Sequence, residues 1–185
     1  MPKLEQFAVI LYTLRDFVKT PEDFKTTLDK VAAIGYKAIQ VSGMAKDVLP
    51  AEEIAAEAAK RGLTICATHE PGVDILDDTE AVIARLKTLG TQYTAYPFPA
   101  GVDFADEASV QNLITKLDLA GEKMAAAGLV LTYHNHAHEL YRSGGTTLLE
   151  RIYAQTGPKH LQGEIDTHWI QRGGADPIKW IERLN

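Results

Sequence analysis

The chain has a single cysteine, Cys66, among 185 residues, so it cannot form an internal disulfide and a cytoplasmic setting is the simplest expectation. It lacks any stretch near the roughly eighteen consecutive apolar residues that a membrane span needs. The apolar run in MPKLEQFAVILYTLRD is too short for a signal peptide and has no small-residue cleavage site after it. Positive charge is also scarce. Nineteen Lys and Arg against 25 Asp and Glu give a net charge of −6, which argues against nucleic acid as a partner, because phosphate binding is driven by clustered cations. A glycine-rich phosphate loop is missing where a dinucleotide-binding sheet would carry one; LYTLRDFVKTPED stands there instead. Linkers and low-complexity tracts are missing too, and residues 1–185 read as one domain.

What is present is a repeat. Short β-rich runs (7–12, 37–42, 63–69, 92–97, 129–135 and 160–166) alternate with amphipathic helical stretches (21–34, 50–61, 77–89, 106–127, 146–155 and 176–183). Thr20, Pro21 and Asp23 form a helix start, with a capping hydroxyl, a proline at the first position and an acid at the third. Gly35, Gly62, Gly90, Gly128 and Gly157 fall where left-handed helix ends are wanted. Six βα units with a period of about thirty residues predict an α/β fold with a parallel sheet. It is either an open doubly wound sheet or a TIM (β/α)8-type barrel with six of its eight units in this chain. The polar residues favour the barrel. Arg15, Ser42, His69 with Glu70, a cluster at 134–139, and Asp166 with His168 all follow predicted strand ends, which parallel strands place on one face.

The cluster reads YHNHAHEL over 133–140 and holds half of the six histidines. On an extended strand His134 and His136 share a face, with Tyr133 and Asn135 on the other. Such a pair can hold a divalent metal or flank a polyol, or it can simply be hydrogen-bonded lining. His138 is expected in solvent. Glu139 either stays solvated or swings over the strand end as a ligand, a base or an acceptor for a substrate hydroxyl. In GEIDTHWIQRGGADPIKW, Asp176–Pro177 supplies the helix start, which leaves Asp166 without a capping task and open to a metal role. His168 offers a polar donor and Trp169 a flat wall, a combination that suits a sugar; Trp169 could equally pack under the loop.

LYTLRD (11–16), GYKAIQVSG (35–43), YHNHAHEL (133–140) and DTHWIQRGGADPIKWIERL (166–184) together resemble the xylose isomerase-like (β/α)8 barrel superfamily, in its sugar phosphate isomerase/epimerase branch. The resemblance implies a divalent metal at the barrel mouth: manganese first, with Co2+, Mg2+ or Zn2+ as the other ions. It matches Asp166 to a metal ligand after strand six and places His134 where many relatives carry a glutamate ligand after strand five. His136 and Glu139 become the catalytic candidates, and Arg15, His69, His168 and Trp169 the substrate contacts. Gln40 stands where relatives often show a glutamate in strand two.

The implied activity is isomerisation or epimerisation of a sugar, sugar phosphate or keto-sugar through an enediolate. The alternatives are a metal-dependent dehydratase of an inosose-type keto-polyol and a non-catalytic fragment. The family's remaining two units have no counterpart before Asn185. That predicts exposed strand edges, self-association through them, and little turnover from residues 1–185 alone.

Overall fold

A computed structural model describes residues 6–143 and 145–184. Six strands form one parallel sheet in sequential order: β1 (Ala8–Ile10), β2 (Ala38–Val41), β3 (Thr64–His69), β4 (Tyr93–Tyr96), β5 (Val130–His134) and β6 (Gln162–Glu164). The helices are α1 (Pro21–Ile34), α2 (Ala51–Lys60), α3 (Gly72–Asp77), α4 (Thr79–Leu89), α5 (Glu107–Ala126), α6 (Leu148–Gln155), α7 (Thr167–Arg172) and α8 (Pro177–Leu184). The expected barrel-type order, with successive strands adjacent, is therefore observed. No described helix is long and apolar enough to cross a membrane.

The chain divides into two compact units, Met1–His69 with Ile83–Thr94, and Glu70–Val82 with Ala95–Asn185. In the first unit β1 and β2 pair Ala8 with Ala38, and β2 pairs Ile39 with Ile65 of β3 before a bulge at Ile39/Gln40. The α1 start follows the sequence: the Thr20 hydroxyl accepts the Asp23 N–H at 3.1 Å, with Pro21 at the first position. Its apolar stripe, Phe24, Leu28 and Val31, repeats at helical spacing and is buried. Gly35 then ends the helix at φ 107°, a conformation that costs a side-chain-bearing residue. These side chains join Leu11, Ile39, Ile54, Leu63 and Ile65 in an almost wholly aliphatic core.

Strand one is shorter than expected. From Leu11 the backbone coils into a 3-10 segment that runs to Phe17. The Tyr12 N–H is satisfied by the Ser42 hydroxyl at 3.0 Å rather than by a strand partner.

In the second unit, Asp106 caps α5 through the Ala108 N–H at 3.0 Å, and Val110, Leu113, Ile114, Leu117 and Met124 bury its inner face. Four expectations need correction. The stretch 77–89 is preceded by the separate turn of α3, with Asp78 as the break. Residues 146–147 begin no helix. They pair with Arg142–Ser143 in a short antiparallel ribbon, and Thr147 caps α6 in a full capping box with Glu150. Gly157 does not adopt a left-handed conformation; its N–H donates to Asp118 Oδ1 at 2.6 Å. Strand six ends at Glu164, two residues before Asp166.

Candidate active site

The second unit gathers its chemistry at the C-terminal ends of β5 and β6. Their register sets His134 opposite Glu164, and parallel partners project to the same side. His134 Nδ1 lies 3.6 Å from Glu164 Oε1, and its Nε2 lies 4.0 Å from Asp166 Oδ2. One imidazole thus faces a carboxylate at each nitrogen. Glu164 escapes a reading of the sequence because only the strand register reveals it.

Asn135 joins the two strand ends. Its amide oxygen accepts the Asp166 N–H at 2.9 Å, and its amide nitrogen donates to the Asp166 carbonyl at 3.3 Å. A fully buried asparagine with both amide ends engaged is a rigid clamp on the backbone that carries Asp166. Asp166 itself has the capping task that the sequence reading denied it. Its Oδ1 accepts the Trp169 N–H at 2.9 Å and caps α7, a six-residue helix that lies ahead of the Asp176–Pro177 start. That leaves Oδ2 turned toward His134.

Glu139 does not stay solvated. It sits in a 3-10 turn (His138–Leu140) and is fully buried. There it accepts the His136 N–H at 2.8 Å and the Tyr133 hydroxyl at 3.2 Å. Burial, reinforced by the Glu139 charge, pushes the Tyr133 hydroxyl far above its ordinary value, so it remains a proton donor to that carboxylate. Tyr96 stacks on Tyr133 with centroids 5.6 Å apart, and burial followed by Asp77 and Glu139 raises it to about 12. Tyr153 donates to the Tyr133 carbonyl at 3.4 Å. The strand end therefore rests on a layer of protonated tyrosines around one buried carboxylate.

Above this layer the aromatic rings line an open cleft of about 940 Å3. The His136 ring contacts those of His134 (4.9 Å between centroids), His138 (5.5 Å) and Trp169 (5.3 Å). His138 is less solvated than expected, since Phe98 and Phe104 flank its ring at 5.3 and 5.4 Å. Ligand atoms of His136, His138 and Glu139 also lie within 4.8 Å of one another, a spacing a metal ion could bridge. Trp169 is a wall of the cleft, whereas His168 is exposed beside it with ring centroids 5.1 Å apart.

The structure thus brings together His134, His136, Glu139, Asp166 and Trp169 of the expected residues. Arg15 and His69 belong to the first unit. Arg15 is exposed on the 3-10 segment, donating to the Tyr12 carbonyl at 3.0 Å, and His69 is the last residue of β3.

No family model matches the sequence, and no curated protein matches it. Among solved structures, the chain is similar to a sugar phosphate isomerase/epimerase from Parabacteroides distasonis ATCC 8503. That match has a TM-score of 0.85 at 19% identity, over 99% of this chain and 72% of the other. It is also similar to an L-ribulose 3-epimerase (TM-score 0.74, 16% identity, 96% of this chain and 66% of the other). An AP endonuclease, family 2, from Brucella melitensis matches with a TM-score of 0.71 at 17% identity, over 100% of this chain and 76% of the other. The fold is that of the xylose isomerase-like TIM barrels.

Proposed function

We propose that the chain serves divalent-metal-dependent isomerisation or epimerisation of a sugar or keto-sugar, with the ends of β5 and β6 as its chemical centre. The observation that carries this reading is His134, with Asp166 Oδ2 at 4.0 Å from Nε2 and Glu164 Oε1 at 3.6 Å from Nδ1. Adjacent ligand atoms, each about 2.1 Å from a shared ion, lie roughly 3.0–3.4 Å apart, so His134 Nε2 and Asp166 Oδ2 would close by about half an ångström to act as a ligand pair. Glu164 stands 3.6 Å from the far nitrogen, on the side where a carboxylate behind a ligating histidine is placed. One imidazole with a hard carboxylate oxygen, and no thiolate, suits Mn2+, Co2+ or Mg2+. Bound there, an ion would supply Lewis acidity to adjacent carbonyl and hydroxyl oxygens of a sugar.

The remaining work falls to the side chains. Isomerisation and epimerisation both remove a proton from carbon next to a carbonyl, and a positioned base contributes typically about 10²–10⁴-fold. His136 projects into the cleft beside His134 and is the candidate to take and return that proton. Glu139, fixed beneath it by the Tyr133 hydroxyl and the His136 N–H, holds the loop that aims this ring. Trp169 offers the apolar face on which sugar C–H groups pack.

Incubating a panel of ketoses and their epimers with Mn2+ in D2O tests this. Deuterium should enter at the carbon next to the carbonyl in one substrate, and His136→Ala should abolish that exchange. Loss of water from an inosose-type substrate, with no isomer formed, would replace the isomerase reading by a dehydratase.

A further inference from the structure

The cleft differs in charge from the chain that forms it. The whole sequence is acidic, yet the lining residues are Phe98, Phe104, His136, His138, Trp169, Arg142 and Arg172 with four neutral neighbours, and no Asp or Glu is among them. Arg172 is the more telling of the two arginines. Its guanidinium lies over the Trp169 ring, 5.1 Å from the centroid, and among the described residues it has no carboxylate partner. Stacking fixes the plane of a guanidinium while leaving its N–H edge available, and that edge is the part that matches a planar or tetrahedral oxyanion. Arg142 is anchored through Nη1 to the Gly145 carbonyl at 2.7 Å, with Glu150 3.9 Å away, and a guanidinium has five donors in all.

Trp169 connects this positive region to the chemical centre. The same indole that underlies Arg172 lies 5.3 Å from the His136 ring. A sugar lying in the cleft alongside this stacked pair would have one end toward His136 and His134 and the other toward the N–H edge of Arg172. Resting on the isomerase reading above, we infer that the substrate is an acidic sugar. Its anionic oxygen group, phosphoryl or carboxylate, is received by Arg172, with Arg142 at the rim, while its carbonyl end faces His136. The pairing is charge-assisted and sets specificity without taking part in bond making.

The test uses the intact chain without added metal, so it does not depend on the proposed metal ligands. Inorganic phosphate is titrated by calorimetry against wild type and Arg172→Ala, followed by a hexose, its terminal phosphate and the matching hexuronate. Wild type should bind phosphate and should prefer the phosphate ester or the uronate over the neutral hexose by at least about tenfold. Arg172→Ala should remove that preference, Arg142→Ala should reduce it, and the exposed α4 control Lys87→Ala should leave it unchanged. Equal phosphate binding by wild type and Arg172→Ala overturns the inference. So does phosphate binding with no preference for the acidic sugars, which would mark a site for free anions. Mn2+ titration of Arg172→Ala keeps the two readings apart: unchanged Mn2+ affinity with lost anion preference supports the anion site, whereas lost Mn2+ affinity with retained preference contradicts it.

Discussion

Both units bury an apolar core, but among the described residues the buried carboxylates, Glu70 and Glu139, belong to the second. The first fills its interior with Leu11, Phe24, Leu28, Ile39, Ile54 and their aliphatic neighbours. The second places Tyr133, Asn135 and Glu139 at full burial beneath its strand ends. An apolar core stabilises by area and shape, and each of its members is replaceable at a cost set by volume. A buried polar layer contributes little net stability, but it fixes geometry, because every donor and acceptor in it has an assigned partner. Side chains that must aim an imidazole and a carboxylate are found in the second setting. The second unit therefore carries positioning in addition to the packing that both units share.

That contrast can be broken by substitution. The largest effect is expected in the first unit, where Phe24→Ala should cost about 3–5 kcal/mol in urea unfolding while leaving Mn2+ affinity of the folded protein unchanged. In the second unit Glu139→Ala strands two buried donors, the Tyr133 hydroxyl and the His136 N–H, and should cost roughly 2–4 kcal/mol. Unlike the phenylalanine change, it should also suppress deuterium exchange into substrate, even at temperatures where the variant is folded. Equal loss of exchange in both variants at matched stability would erase the distinction between the units.

A smaller effect separates two tasks of one residue. Asp166→Ala removes both the α7 cap and the proposed metal ligand and should cost about 1 kcal/mol of stability. Asp166→Asn keeps a good capping oxygen, so stability should return while the charge does not. If the asparagine variant is as unstable as the alanine one, the carboxylate's main contribution is not the cap.

The smallest effect is in pH dependence. Partial burial pushes the Asp118 carboxyl upward, but the Gly157 N–H and His160, at 2.6 and 2.8 Å, outweigh it and hold the group below its ordinary range. A depressed carboxyl stabilises the folded chain above the unfolded value, and that contribution is lost as pH falls through the folded value. Asp118→Asn should therefore make the acid limb of stability shallower. Both side chains are about a third exposed, so solvent screening keeps the change modest.

These contrasts also explain what could be read from the sequence. The strand order and α1 were legible because Thr20–Pro21, the Phe24–Leu28–Val31 stripe and Gly35 act locally. The six-residue α7 was not, because two helix starts compete in that stretch and Asp176–Pro177 is the stronger pattern; the capping task of Asp166 went unseen with it. Glu139 looked like a loop acid because its burial depends on Tyr133, six residues earlier, turning its hydroxyl inward. Glu164 gave no local signal, since its place opposite His134 is a matter of register between strands separated by a helix and a ribbon. Chemistry assigned by chain position was recoverable, and chemistry assigned by pairing was not.

The most direct test of the central claim is a calorimetric Mn2+ titration of wild type beside Asp166→Asn, the variant that retains the cap. The account predicts binding to the wild-type chain that weakens by at least about tenfold in the asparagine variant at unchanged folding stability. Identical Mn2+ affinity in the two proteins would contradict it, leaving Asp166 as a helix cap and the end of β5 without its proposed metal centre.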